Sequence, residues 1–158
     1  MHALRDQTFD RIAGLMHDAI GLHLAPAKKS LVSSRLAPRI QRLGLPGYED
    51  YLQLIEGGDD QGEFQMAVDL LTTNETYFFR EPAHFELIER ELCARPRGPL
   101  ALWSAASSFG DEAYSCAMLL ADLQQQGRID PDWSILGTDI SDRVLRSAIE
   151  AVYPADRL

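Results

Sequence analysis

The chain has 158 residues, 46% hydrophobic and 25% charged, a globular composition that excludes a disordered polymer and allows one ordinary domain or two small ones. No run approaches the ~20 apolar residues of a membrane span, and Asp6 and Asp10 interrupt any signal-like core at the start. A net charge of −9 disfavours general nucleic-acid binding, but the charge is uneven. Through Leu45 seven Lys or Arg face three Asp, and beyond it eight basic residues face 21 acidic ones, which allows a local basic patch for an acidic protein partner. Cys93 and Cys116 lack metal-ligand spacing and read as reduced cytosolic thiols, and the four histidines form no motif, so no metal site is expected.

In chain order, Arg5 to Ile20 places Phe9, Ile12, Ala13, Met16 and Ile20 on one helical face, with Gly21 at its end. A second helix is expected to open near Pro26 and close at Gly44, with Val32, Leu36, Ile40 and Leu43 as its apolar stripe. Arg35, Arg39 and Arg42 share a different face, and Pro38 is expected to kink or restart the helix, because it removes a donor and crowds Ser34. A third helix packs Tyr48, Leu52 and Ile55 and ends at Gly57-Gly58. A fourth, from about Asp60 to Leu71, uses Phe64, Ala67, Val68 and Leu71. Four short helices make a small all-α domain over residues 1–71.

Residues 72–81 form a threonine-rich junction, after which the pattern changes. A helix begun by Pro82 buries Phe85, Ile88 and Leu92; "LALWSA" reads as a buried strand, "SSFGD" as a turn and "EAYSCAMLLADLQQQG" as a helix. "WSILGTDIS" supplies a second strand and "DRVLRSAIEAVY" another helix, which together open a parallel α/β sheet over residues 82–158.

A strand that runs through a glycine-containing turn into a helix is how α/β folds bind nucleotide-like ligands, and "SAASSFGDE", Ser104 to Glu112, has that arrangement. Gly110 offers close approach of backbone to ligand, and Asp111 or Glu112 at the helix start can meet a cationic centre. The turn is neither a P-loop nor a three-glycine dinucleotide fingerprint, and the plain alternative is a tight turn with Asp111 as helix cap. Asp139 ends the second strand, where an acid can accept both hydroxyls of a ribose. Alternatively Asp139 or Ser141 caps the next helix, and Ser141 is free to do so while Asp139 binds a ligand.

Three stretches, "LLTTNETYFFREPAHF", "LWSAASSFGDEAYSCAMLLAD" and "LGTDISDRVLRSAIEAVY", closely resemble the CheR family of chemotaxis-receptor methyltransferases, and the likeness runs over essentially the whole chain. The resemblance implies a small all-α N-terminal domain followed by a Rossmann-like α/β methyltransferase domain, here truncated. It implies transfer of a methyl group from S-adenosylmethionine to receptor glutamates in the cytoplasm, with S-adenosylhomocysteine as product. Asn74, Thr76 and Arg80 would line the cofactor and glutamate pocket, Glu75 and Phe79 would shape it, and Ala105, Gly110, Glu112 and Asp139 would also contact the cofactor. Arg80 is the expected catalytic residue, since a guanidinium holds a planar carboxylate through two parallel donors; its structural alternative is an ion pair with Glu81 or Glu112. Arg35, Arg39 and Arg42, with Lys28 and Lys29 nearby, would dock the acidic methylation region of a receptor; three arginines on a solvated helix face are the plain alternative.

Where the family shows a stretch like "SAGCSTGEEPYS", this chain has Ala106 for glycine, Phe109 for a small hydroxyl residue, Asp111 for glutamate and Ala113 for proline. Ala106 is expected to push the turn away from the cofactor, because alanine tolerates positive φ poorly. Phe109 is expected to fill the pocket or stack near the ligand. Family members continue for roughly another hundred residues, so the chain alone is expected to be inactive, and self-association or element exchange would cover an incomplete sheet. The alternative function is a non-catalytic interaction module with a degenerate cofactor pocket.

Overall fold

The computed structural model describes residues 3–58 and 61–155, and the chain divides into two compact units between Thr73 and Asn74. The first unit is helical: α1 (Asp6–Ile20), a 3-10 turn (Pro26–Lys28), α2 (Lys29–Arg42), α3 (Tyr48–Glu56) and α4 (Gln61–Leu71). The expected start of the fourth helix at Asp60 lies outside the described residues. Phe9, Ile12 and Met16 of α1 and Val32, Leu36 and Ile40 of α2 meet Tyr51, Leu52 and Ile55 of α3 and Ala67, Val68 and Leu71 of α4 in one core. These are the i, i+3/i+4 positions that the sequence pattern selects, because such residues stack on one side of a helix. Gly21 takes φ 72° and its N–H closes α1 on the carbonyls of His17 and Met16, the left-handed C-terminal cap that glycine adopts without strain.

The second helix differs from expectation. Its first turn from Pro26 is a separate 3-10 turn, and α2 runs unbroken through Pro38 from Lys29 to Arg42. The missing Pro38 N–H removes one backbone donor, but Val32, Leu36 and Ile40 are fully buried along the whole length, and that packing outweighs a local defect.

The second unit contains α5 (Pro82–Ala94), β1 (Leu100–Ala105), α6 (Asp111–Gln125), β2 (Trp133–Thr138) and α7 (Asp142–Glu150). β1 and β2 pair in parallel, Leu100 opposite Trp133 and Ala105 opposite Thr138. Leu100, Leu102, Trp133 and Ile135 point to one face, where Leu92 of α5 and Leu120 and Leu123 of α6 cover them. The other face carries Trp103 and Leu136, register partners that are 69% and 61% exposed. Among the described residues this is a two-stranded sheet with one open face, and no described helix is long and apolar enough to cross a membrane.

Candidate functional site

The carboxyl ends of β1 and β2 are joined by a dense set of hydrogen bonds. The turn after β1 takes positive φ at Ala106 (59°), Ser108 (51°) and Gly110 (91°). Ser107 N donates to Thr138 O at 2.8 Å, and Ser108 N donates to Asp139 Oδ2 at 2.8 Å. The other oxygen of Asp139 accepts from Ser141 N at 2.9 Å, while Ser141 Oγ accepts from Val144 N at 3.5 Å and caps α7. Asp139 therefore grips both the β1 turn and the entry to α7. Ser108 Oγ donates in turn to Asn74 O at 3.3 Å, so Asn74, Ser108 and Asp139 form a continuous string. Gly137 permits this closeness, because a Cβ there would lie 3.0 Å from Ser107 Oγ.

Three residues of this turn have environments that the sequence alone does not show. Ala106 occupies the left-handed region, since the neighbouring bonds to Thr138 and Asp139 over-determine the turn and hold an alanine where it is strained by about 1–2 kcal/mol. The side of Gly110 where a side chain would stand is filled. A Cβ there would stand 2.9 Å from Tyr153 Oη, 3.0 Å from Ala148 Cβ and 3.1 Å from Tyr114 Cε2, so the glycine accommodates α7 and the segment after it. Phe109 turns the same way: its carbonyl accepts from Tyr153 Oη at 2.5 Å, and the Arg143 guanidinium lies 5.3 Å from its ring centre.

The loop before α5 holds the second part of the site. Phe79 and Glu81 have φ 53° and 57°, so Arg80 sits between two left-handed residues. Arg80 Nη1 donates to Glu75 O at 2.8 Å and the guanidinium lies 5.9 Å from the Tyr77 ring centre. Among the described residues Arg80 makes no ion pair with Glu81 or Glu112, the alternative raised for it. Glu112, at the start of α6, accepts instead from Ser104 Oγ at 2.6 Å. Arg80 and Glu112 both line a cavity of about 200 Å³, with His84, Phe85, Ser104 and Cys116. Burial, helped by the nearby Glu112 charge, pushes the Cys116 thiol up, so it faces the cavity as a neutral group rather than as a nucleophile. Thr76 is half-buried in the same loop, Ala105 is exposed at the end of β1, and the buried Asp111 opens α6.

The arginines of α2 separate into different roles. Arg39 donates to Glu63 through Nε at 3.0 and 3.2 Å and through Nη2 at 2.5 Å, while Tyr51 Oη adds a bond to Glu63 at 2.8 Å. Glu63 is 3% exposed. Burial pushes its carboxyl up, but the Arg39 and Tyr51 hydrogen bonds overcome that and hold it below the usual carboxylate value, while burial and Glu63 push the Tyr51 phenol up. Arg35 donates to the carbonyls of Leu71 and Thr72 at 3.1 and 3.0 Å and so caps the end of α4. Of the three arginines expected to form a docking face, Arg35 and Arg39 bond within the helical unit, and Arg42 is exposed. A cavity of about 390 Å³ in this unit lies against Arg5, Thr8 and Glu49, whose polar groups already bond one another.

The strand-end string fits an adenosine-type ligand. Asn74 Nδ2 is buried without a hydrogen-bond partner among the described residues, a donor that a ligand oxygen or ring nitrogen would satisfy. A carboxylate offers about four lone-pair sites, so Asp139 keeps acceptor capacity beyond its two backbone bonds. Ligands of open α/β sheets bind outside the carboxyl ends of the strands, where this string lies. Fold and site together define a helical domain followed by the opening of a nucleotide-type α/β domain. Residues 7–72 match the all-alpha domain of CheR methyltransferase and residues 74–158 match the SAM binding domain of CheR methyltransferase. The chain belongs to the CheR methyltransferase family, whose cofactor is S-adenosylmethionine.

The chain is 40% identical over 156 residues to the chemotaxis protein methyltransferase of Escherichia coli, a match that covers 99% of this chain and 54% of that one. It is 38% identical to the chemotaxis protein methyltransferase of Salmonella typhimurium, covering 99% of this chain and 53% of the relative. It is 39% identical to chemotaxis protein methyltransferase 2 of Pseudomonas aeruginosa, covering 96% and 54%. The chain thus spans about half the length of the curated relatives it matches.

Proposed function

We propose that this chain contributes the cofactor-holding and carboxylate-orienting part of an S-adenosylmethionine-dependent methyltransferase that esterifies glutamate side chains of chemotaxis receptors. The observation that carries the reading is the pairing of two features in one unit. One is the Asn74–Ser108–Asp139 string at the strand ends; the other is a cavity lined by Arg80, a cation with no ion pair among the described residues. In this reading Asp139 accepts from the ribose hydroxyls, Asn74 Nδ2 donates to the ligand, and Glu112 meets the methionine amino group. Thr76, Ala105 and Gly110 complete the surroundings, Gly110 through the backbone position that its φ allows.

When bound, S-adenosylmethionine supplies an electrophilic methyl group on a sulfonium centre. Arg80 releases its bond to the Glu75 carbonyl and holds the substrate carboxylate through two N–H donors. A glutamate is ionised at neutral pH, so its oxygen needs alignment and no general base. Cys116 stays protonated and does not compete as a methyl acceptor.

The substrate is an acidic receptor segment, approached from the helical unit by Arg42, whose exposed charge steers rather than binds tightly. Turnover by the chain alone is expected to be absent, because the sheet face bearing Trp103 and Leu136 is open to water and leaves the site unsheltered. The test joins this chain to the portion of the Escherichia coli relative outside the matched residues. Methanol released by base from a receptor fragment is then measured after incubation with methyl-labelled cofactor. Labelled methanol marks a glutamyl ester. A folded chimera that binds S-adenosylhomocysteine but releases no methanol refutes the assignment.

A further inference from the structure

The loop that carries Arg80 contains two residues, Phe79 and Glu81, in left-handed conformations that the fold must hold in place. Phe79 at φ 53° is in a region that a bulky side chain seldom enters. Its ring meets that of Phe85 at 5.2 Å, which anchors it to α5. Its backbone N–H donates at 2.9 Å to Ser115 Oγ on α6, 36 residues away in sequence. Ser115 is fully buried, and its hydroxyl proton is committed in turn to Asp111 O at 2.6 Å. That geometry leaves the oxygen lone pairs facing the loop. Glu112 lies one helical turn before Ser115 and shares the cavity with Arg80.

We propose that Ser115 is a positioning residue: its hydroxyl ties the left-handed Phe79 to α6 and so sets the spacing between the Arg80 guanidinium and Glu112. The inference rests on the reading of Arg80 given above, but it concerns a different atom and a different bond. A side chain without an acceptor at position 115 removes the bond that holds the Phe79 N–H. The loop then relaxes toward ordinary φ values and carries Arg80 with it. Because strain at one residue is released through its neighbour, the effect should appear at Arg80 even though Ser115 does not touch it.

The test uses the 158-residue chain labelled with 15N and compares wild type with Ser115→Ala. Three quantities are read: exchange of the Phe79 amide, the position and width of the Arg80 Nε–Hε signal, and the affinity for S-adenosylhomocysteine by calorimetry. The expected result is faster Phe79 exchange, a displaced or broadened Arg80 signal, and binding weaker by about tenfold, equivalent to about 1.4 kcal/mol. Ser115→Thr, which keeps the hydroxyl, should return the Arg80 signal toward its wild-type position. A merely structural serine would lower the melting temperature but leave the Arg80 signal and the affinity of the folded protein unchanged, and that outcome overturns the proposal. If Ser115→Ala does not fold, Ser115→Cys, close in size but a weak acceptor, is judged by the same three readings. If wild type itself does not bind S-adenosylhomocysteine, the cofactor reading fails by itself, and the Arg80 and Phe79 signals still decide the role of Ser115.

Discussion

Replacing Arg39 by methionine should destabilise the helical unit by about 2–3 kcal/mol at pH 7 and by much less in acid. Glu63 is 3% exposed and takes three close contacts from the Arg39 guanidinium, whose own side chain is 24% exposed. Removing one member of a buried pair costs about 3–5 kcal/mol, because the other charge is left uncompensated. The partial exposure of Arg39 and the surviving Tyr51 bond place this case at or below the lower end. An upper limit also comes from protonation. Glu63 can shed its charge by binding a proton, which costs ~1.36 kcal/mol per unit between its ordinary value and the ambient pH, or about 3.5 kcal/mol at pH 7.

The sign of the pH effect follows from linkage. In wild type the folded-state value of Glu63 is depressed, so its stabilising contribution is present above the unfolded value and is lost as pH falls through the folded one. In Arg39→Met the guanidinium is gone and burial raises Glu63, so that contribution now diminishes as pH rises. The gap between the two proteins must therefore widen from pH 4 to pH 7. Hydrogen exchange over the Val32–Ile40 segment reads the helical unit. Both tryptophans, Trp103 and Trp133, lie in the second unit, so their fluorescence during urea unfolding serves as an internal control. A difference within about 0.5 kcal/mol at both pH values, typical of an exposed substitution, or a gap that widens in acid, would refute the reasoning.

Arg80→Ala in the chimera should lower methyl transfer by about a hundredfold or more at every salt concentration, since it removes alignment inside the site; stopped-time methanol release checks this. Arg42→Glu should weaken transfer at low salt while leaving the melting temperature unchanged, with the gap to wild type narrowing as salt rises, because screening acts over about 8 Å at ~0.15 M. Ala106→Gly should raise the stability of the second unit by about 0.5–1 kcal/mol, as relief of left-handed strain exceeds the added freedom of the unfolded chain; tryptophan-monitored urea unfolding measures it.

Much of the fold is legible in the sequence because helix and strand periodicities are local. The stripes Phe9–Ile12–Met16 and Val32–Leu36–Ile40, and the strand Leu100–Ala105, follow from spacing alone. The role of Arg39 does not, since a 3.6-residue period shows which residues share a face but not which buried acid of another helix meets them. The helix that supplies Glu63 also carries an apolar stripe, and nothing in the spacing marks one of its acids as internal. Asp139 is legible as a strand-end acid, yet its grip on Ser108 and Ser141 depends on how the β1 turn folds back. Gly110 shows the same limit: a turn glycine that allows close approach is legible, but the approach of Tyr153 from 43 residues later is not. Ser115 is not legible, because a buried serine on a helix looks like any small core residue until its partner is placed.

The most direct test of the account is a titration of the 15N-labelled chain with S-adenosylhomocysteine, observed at the Asn74 side-chain amide. That Nδ2 group is buried and unpartnered among the described residues, so a ligand that satisfies it must shift its signal, together with the backbone amides of Ser108 and Ser141 that bond to Asp139. The account predicts a saturable shift of all three in one binding event, abolished by Asp139→Ala. Signals that stay in place at millimolar ligand, in a chain whose spectrum shows the second unit folded, would contradict it.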